Sequence, residues 1–283
     1  MDTWCLVSGA WGDALACYGN IIEYLNENKL NKSNIIYYGI DKKIINFLKI
    51  QKKIDNVKSL SISNPSLYFE YAGMAASDFS FWMKTTGLEQ QIPNLIPTHI
   101  SRFYNIENPH LCHRNFEINL SSQTKNISMF YLKYNPYIIF QPFSCHSCRF
   151  ESHWPHWMEA LSWILDNTNL NVVLIGQLTS NFDLRFKFPW VEHPRLINLV
   201  GQIDDMIEIL HIVKNSKYII TTSNNLSMFS IIFNKPALVV CNQIIKEKAN
   251  YYYNWIKYNP NIVLDFFISL NEFKQEYLKF SSV

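Results

Sequence analysis

The residue best suited to acid-base chemistry in this sequence is an aspartate near its start. Asp13 follows Gly12 in the segment Gly9-Ala10-Trp11-Gly12-Asp13, directly before apolar residues that recur at helical spacing. A carboxylate at the start of a helix can cap it, which contributes about 1 kcal/mol. An ionised carboxylate there can also accept a proton from a hydroxyl group. The spacing leaves both roles open and favours the cap.

A polar segment over 141–155 carries the second set of candidates. It lies between an apolar run and a helical pattern. Ser144, Arg149 and backbone amides of this segment could therefore hold a diphosphate at the positive end of a helix dipole. Without a ligand, the segment would be a polar loop whose side chains bond to one another.

The same segment also allows a zinc hypothesis. Cys145 and Cys148 form a C-x-x-C pair, and His153 and His156 follow them. These histidines lie much closer to the cysteines than in zinc-finger spacing, which disfavours a metal site. We therefore expect no metal in this loop.

Two further strand ends complete the candidates. Ser223, Asn224 and Asn225 follow an apolar run and precede a helical pattern, so they could cap that helix or present its N–H groups to a phosphate. Gly176 and Gln177 follow another apolar run, where the chain must turn or approach a ligand.

Short apolar runs that alternate with helical patterns must position these residues. The runs predict strands at 4–8, 35–38, 57–62, 137–140, 171–175, 218–222 and 237–240. Helical spacing predicts helices after Asp13 and over 41–53, 155–166, 204–213 and 226–233. The proline-punctuated stretch 64–134 gives only a helix near 66–85 and short strands near 98–103 and 126–132.

This alternation predicts an α/β fold with parallel sheets covered on both faces, because the strands are continuously apolar. The pattern restarts after Asn135-Pro136. We therefore expect two doubly wound, Rossmann-like lobes, 1–134 and 135–283, that face a central cleft. Ligands of such sheets bind beyond the carboxyl ends of the strands, so the candidate loops should line that cleft.

Composition narrows the class of protein. The chain has 283 residues, 48% of them hydrophobic, and 25 basic against 23 acidic residues. This near balance argues against a nucleic-acid-binding protein. Six cysteines in so long a chain do not form a disulfide framework, and no secretory signal or membrane span is evident. We expect a cytoplasmic protein with at most peripheral membrane contact.

Several well-known site motifs are missing from the sequence. It has no G-x-x-x-x-G-K-[ST] loop, G-x-G-x-x-G fingerprint, G-x-S-x-G elbow, H-E-x-x-H or D-x-D. Asp204-Asp205 stands where a helix should begin, so capping explains it better than metal binding. We therefore expect neither a cofactor nor a metal.

Three segments, taken in order, resemble the heptosyltransferase-type family of inverting glycosyltransferases. Residues 8–13 are similar to the opening turn of that family, where a Gly-Asp pair starts the first helix. The strand 138–141, Arg149 and Trp154-Pro155 resemble its strand, loop and Lys-x-Trp-Pro segment. The stretch from Gly201 through Lys235-Pro236 resembles its Gly-Lys-Thr, Asp-Ser-Gly-x-x-His-x-Ala and Lys-Pro elements.

The resemblance implies the glycosyltransferase-B fold, with an acceptor-binding N-terminal lobe and a donor-binding C-terminal lobe. It implies that Asp13 is the general base that deprotonates an acceptor hydroxyl. The donor would be a nucleotide-sugar, held by Gly12, Ser144, Arg149, Gly176, Gln177, Ser223, Asn224 and Asn225. The acceptor would be a glycan or a lipid-linked glycan.

The sequence departs from the family's motifs at several positions. Ser152 stands where the family has the basic residue of its Lys-x-Trp-Pro segment. Ser223 and Met228 replace its acidic residue and its histidine. These departures leave the donor sugar open and are compatible with a non-enzymatic relative that binds a carbohydrate or a partner. A nucleotide-sugar epimerase and a DNA glycosyltransferase of the same fold are compatible with the sequence as well.

Overall fold

The computed structural model describes two compact α/β units. The units are Met1–Ser121 and Ser122–Val283. The described residues are 4–8, 11–38, 41–60, 95–96, 118–120, 133–142, 154–176, 192–203, 205–222, 225–241, 262–265 and 267–282. The lobe boundary given from the sequence, and the roles of the lobes, stay predictions.

The first unit is a parallel sheet with helices in its crossover connections. Its elements are β1 (Trp4–Ser8), α1 (Trp11–Glu27), β2 (Ser33–Tyr38), α2 (Lys42–Lys49), β3 (Ile54–Leu60) and β4 (Leu95–Ile96). The strand order is β3-β2-β1-β4, and all neighbours run parallel. The apolar residues Cys5, Val7, Ile35 and Ile36 are fully buried, as expected of central strands covered on both faces.

Helix α2 is shorter than the 41–53 that the sequence predicts. Asp41 caps its start by accepting a hydrogen bond from Lys43 N (2.8 Å), and Ile44, Phe47 and Leu48 are buried at helical spacing. The helix ends at Lys49, and just beyond it the side chain of Gln51 turns back and donates to Phe47 O (2.9 Å). That bond satisfies a carbonyl that a longer helix would have paired.

The second unit is a larger parallel sheet. Its elements are β5 (Tyr137–Gln141), α3 (Trp157–Asn167), β6 (Asn171–Leu174), β7 (Leu196–Asn198), α4 (Met206–Asn215), β8 (Ile219–Thr222), α5 (Asn225–Ile232), β9 (Ala237–Cys241), β10 (Ile262–Asp265) and α6 (Leu270–Ser281). The strand order is β10-β9-β8-β5-β6-β7, with every neighbour parallel.

An aromatic cluster covers one face of this second sheet. Helices α3 and α6 pack there, and their side chains bury Phe140, Ile220 and Val240 of the strands. Trp154, just before α3, makes an edge contact with Trp157 (4.9 Å between ring centroids) and packs on Phe273 of α6 at 5.0 Å. Aromatic pairs in these geometries stabilise beyond the area they bury. The two helices are therefore joined through one set of rings.

Every strand that the sequence predicts within the described residues is present, and so are the helices. The predicted helix 66–85 and the strands 98–103 and 126–132 lie outside those residues. Sequence patterns did not indicate β4, β7, β10 or α6. No helix in the described ranges has the length and apolar character needed to cross a membrane.

Candidate functional site

The first unit brings Gly12 and Asp13 to the place where its strand order reverses. From β1 the chain proceeds to β2 and β3 on one side, whereas β4 pairs with β1 on the other. Crevices at such reversals, beyond the carboxyl ends of the strands, are where parallel α/β sheets bind ligands. Gly12 and Asp13 are the second and third residues of α1, directly after β1. Their positions along the chain thus match the expected ligand site of this sheet.

A side-chain hydrogen bond ties the start of α1 to the start of α2. The indole Nε1 of Trp11 donates to Asp41 Oδ2 at 3.0 Å, while Asp41 Oδ1 accepts from Lys43 N. The Trp11 ring is almost fully buried and makes an edge contact with Phe47, with 5.4 Å between centroids. Sequence reasoning missed Asp41, since no spacing rule connects it to a tryptophan 30 positions away.

The second unit has the same reversal between β5 and β8. From β5 the chain proceeds to β6 and β7 on one side, then returns to β8 on the other. Gln141 and Thr221 are paired in register at the carboxyl ends of these neighbouring strands. The two predicted donor-binding segments follow those two strands. Ser144, Arg149, Ser223 and Asn224 lie outside the described residues, and Asn225 is the first residue of α5.

Two adjacent threonines end β8 and differ in their hydrogen bonding. Thr221 Oγ1 donates to Gln141 Oε1 at 3.5 Å, which links the two strands at the reversal. Thr222 Oγ1 is buried and has no hydrogen-bond partner. Since side chains alternate along a strand, Thr222 lies on the same face as Ile220, the face covered by the aromatic cluster. Trp157 Nε1, in that cluster, is the other buried side-chain polar atom without a partner among the described residues of the second unit.

Gly176 lies one strand away from the reversal, after β6. Its carbonyl accepts a hydrogen bond from Gly201 N at 2.9 Å, and Gly201 has a positive φ of 68°. A Cβ built on Gly176 would meet the methyl groups of Val200 at 3.7 Å, an ordinary van der Waals distance. Space therefore does not demand glycine at 176. Gln177 lies outside the described residues, and donor binding by either residue stays a prediction.

The structure does not test the zinc hypothesis at its two cysteines. Cys145, Cys148 and His153 lie outside the described residues, and His156 is the residue before α3, where its ring packs edge-on against Trp154 at 5.6 Å. Within the ranges that the structure describes, no group of three His, Cys, Asp or Glu side chains could hold a metal ion.

The cysteine in the strand before the first-unit site is not a candidate nucleophile. Cys5 lies in the middle of β1, and burial raises the pKa of its thiol to about 11. The thiol is therefore protonated at neutral pH, and the thiolate is the reactive form. Cys5 serves packing, as its full burial indicates.

Neither a protein-family model nor a curated protein sequence matches this chain. Solved structures do. The E. coli ADP-heptose lps heptosyltransferase II is similar over 99% of this chain and 98% of its own, with 11% identity and a TM-score of 0.64. A family 9 glycosyl transferase from Veillonella parvula DSM 2008 is similar over 98% and 89%, with 12% identity and a TM-score of 0.61. The E. coli heptosyltransferase WaaC with ADP matches over 99% and 100%, with 11% identity and a TM-score of 0.58.

A structure of another activity class is also similar. The putative UDP-N-acetylglucosamine 2-epimerase from Listeria monocytogenes matches over 100% of this chain and 89% of its own, with 10% identity and a TM-score of 0.56. All four likenesses establish the fold. The chain has two Rossmann-like α/β units, the architecture of the glycosyltransferase-B class, which confirms the fold predicted from the sequence.

Proposed function

We propose that this protein is a metal-independent, inverting glycosyltransferase that moves a sugar from a nucleotide-diphosphate donor to a hydroxyl of a glycan or glycolipid. One observation carries the proposal. In each unit, candidate residues follow strands at which the order of a parallel sheet reverses: Asp13 follows β1, and two polar segments follow β5 and β8. Ligands of such sheets bind at that position. The likeness to glycosyltransferases along nearly the whole chain supports the same assignment.

In the proposed reaction, Asp13 accepts the proton of the acceptor hydroxyl as its oxygen attacks the anomeric carbon. The bond from that carbon to the diphosphate breaks, so the nucleoside diphosphate leaves with the electron pair. Arg149, Ser144 and the backbone N–H groups at the start of α5 would stabilise the negative charge of the leaving group. Gly12, Gly176, Gln177, Ser223, Asn224 and Asn225 would complete the donor site.

Two observations support a nucleotide-diphosphate donor that is bound without a metal. One similar structure is a heptosyltransferase with ADP, and another is named for ADP-heptose. No D-x-D pair occurs in the sequence, so the diphosphate would be neutralised by Arg149 and helix N-terminal amides rather than by a metal held there. Ser223 and Met228 differ from the family pattern, which leaves the sugar of the donor to experiment.

The test begins with a thermal-shift panel of nucleoside diphosphates and nucleotide-sugars, with and without a chelator. A ligand at about 100 times its Kd stabilises the folded state by about 2.7 kcal/mol. For a chain of this size the midpoint should then rise by roughly 2–4 °C per kcal/mol. We expect one diphosphate to shift the midpoint equally in both conditions. A fall on adding chelator alone would instead support the zinc hypothesis.

Turnover is measured next, with the donor identified by the panel and a library of glycan acceptors. The Asp13→Asn variant should lose a factor of about 10²–10⁴ in kcat, the usual contribution of a general base, while the thermal shift with donor is retained. Asp55→Asn is the matched control, since Asp55 is a half-exposed aspartate of β3 in the same unit that pairs with Lys32. Full turnover by Asp13→Asn would exclude the base role.

An epimerase is the second candidate, because the Listeria structure is similar over the whole chain. The two functions differ in their need for an acceptor. Incubation with a nucleotide-sugar alone, followed by analysis of the sugar, distinguishes them. A changed sugar without acceptor would favour the epimerase, and an unchanged sugar with acceptor-dependent release of diphosphate would favour the transferase.

A further inference from the structure

The Asp41 carboxylate joins the beginnings of two helices. One oxygen, Oδ1, accepts from Lys43 N at 2.8 Å and so caps α2. The other, Oδ2, accepts from the indole Nε1 of Trp11, the first residue of α1, at 3.0 Å. Capping requires only one carboxylate oxygen. The second oxygen is therefore available for another bond, and through Trp11 it holds the first turn of α1.

The Trp11 ring is also held by packing. It is 6% exposed and meets Phe47 of α2 edge-on, with 5.4 Å between ring centroids. Tyr18, nearly two turns further along α1, meets the same Phe47 ring edge-on at 6.4 Å. A rotation or shift of α1 would break the Trp11–Asp41 bond and both ring contacts together. Helix α1 is thus held against α2 through its first turn and its second.

Asp13 lies in that first turn, two residues after Trp11. The backbone of a helical turn is rigid, because its φ and ψ angles are fixed. The position of Trp11 therefore determines where the backbone of residue 13 lies. A misplacement of a reacting group by about 1 Å can cost a factor of about 10² in rate. A bond that holds this turn would act on the rate without contacting the substrate.

We propose that Trp11 and Asp41 form a positioning pair that places Asp13 for proton transfer. This inference rests on the proposed function, in which Asp13 is the general base. It assigns Trp11 and Asp41 a role that packing and capping alone do not require. The pair acts through Asp13, so its removal should have no effect on the rate when Asp13 cannot act as a base.

The test uses two variants that remove the bond from either side. Trp11→Phe keeps an aromatic ring against Phe47 and loses the N–H donor. Asp41→Ser keeps an oxygen that can cap α2 and loses the reach to Trp11. We expect each to lower kcat by about 10-fold to 100-fold at an unchanged KM for donor. The double variant should be no worse than either single one, since both remove the same bond.

Two controls separate positioning from general loss of structure. Asp205→Ser makes the same change at the cap of α4, where Asp205 Oδ1 accepts from Ile207 N at 2.9 Å, and should leave kcat unchanged. In an Asp13→Asn background, Trp11→Phe should lower kcat no further. A further loss there would mean that the pair acts independently of Asp13, which would overturn the inference.

Hydrogen exchange gives a readout that needs no turnover. Trp11→Phe and Asp41→Ser should accelerate exchange of the amides at 15–18, which bond to the carbonyls of the first turn of α1, whereas Asp205→Ser should not. Unchanged exchange would overturn the inference even if the enzyme is active. A wild-type protein that turns over no nucleotide-sugar would instead overturn the proposed function, while exchange would still report whether the pair fixes this turn.

Discussion

The two units carry their candidate residues at equivalent places in their sheets but hold the adjoining helices differently. In the first unit, a hydrogen bond from Trp11 to Asp41 adds to the ring contacts of Trp11 and Tyr18 with Phe47 in joining α1 to α2. In the second, His156 makes no side-chain cap at the start of α3, and the start of that helix is held by the rings of Trp154, Trp157 and Phe140. The contact in the first unit, the polar joint, thus includes a directional bond to a helix cap, whereas the contact in the second, the aromatic joint, consists mainly of rings. We expect the polar joint to matter for placement and the aromatic joint for stability.

The largest expected effect on stability comes from removing the central ring of the aromatic joint, that of Trp154. Trp154 is 2% exposed, contacts Trp157 and Phe273, and donates from Nε1 to Ile268 O at 2.9 Å. Trp154→Ala should lower the free energy of unfolding by about 3–5 kcal/mol, measured by urea denaturation. Trp154→Phe, which loses mainly the hydrogen bond, should lose only about 1 kcal/mol. Equal losses would mean that the hydrogen bond dominates the joint.

A second experiment compares the two aspartate caps directly. Asp41→Ala should destabilise by about 2 kcal/mol, because it loses the cap of α2 and the acceptor of Trp11, each worth about 1 kcal/mol. Asp205→Ala should lose only the cap of α4, about 1 kcal/mol. Urea titrations of both variants measure the difference. Equal losses would show that the Trp11 bond adds nothing to stability.

The threonines that end β8 allow a finer test within the second unit. Thr222→Val removes a buried hydroxyl without a partner and should raise the free energy of unfolding by about 1 kcal/mol. Thr221→Val removes a hydroxyl that bonds to Gln141, so this variant should lower the free energy of unfolding by about 1 kcal/mol. Calorimetry of the two variants checks the opposite signs. A loss of stability in Thr222→Val would mean that its hydroxyl has a partner in solution.

The smallest expected effect concerns the dependence of stability on pH. Burial and the nearby Lys214 lower the pKa of His211 in α4 below its ordinary value, so the unfolded chain binds its proton at a higher pH than the folded protein does. The free energy of unfolding should therefore fall as the pH drops from about 7.5 to about 5.5. His211→Gln should reduce this fall, as followed by thermal melts across that range. Since His211 lies in α4, this contribution belongs to the second unit.

Local patterns in the sequence were sufficient to predict most of both sheets. The apolar runs at 4–8, 137–140 and 237–240 are strands because residues covered on both faces must be apolar throughout. Strand β7 was missed because it has three residues, all half-buried, too few for a pattern. Helix α6 was missed although its signal is in the sequence, since Ser269 and Glu272 form a reciprocal capping box.

For the candidate site, the sequence predicted which segments follow the strands, but not which side chains meet in the folded units. Asp13 and the segments after β5 and β8 follow from motifs and alternation. The bond from Trp11 to Asp41 could not be predicted, because which side chains meet across two helices depends on packing rather than spacing. The same holds for Thr222, whose lack of a partner depends on what surrounds it in the folded unit.

The aromatic joint of the second unit also has a consequence for synthesis on the ribosome. Trp154 and Ile268 are 114 positions apart in the chain, whereas Trp11 and Asp41 are 30 apart. At about 5–20 residues per second, roughly 6–23 s separate the synthesis of Trp154 from that of Ile268, against roughly 2–6 s for Trp11 and Asp41. During the longer interval the rings of Trp154, Trp157 and Tyr218 await Phe273 and Tyr277 of α6. The rings of the nascent second unit therefore wait longer for their partners than Trp11 waits for Asp41.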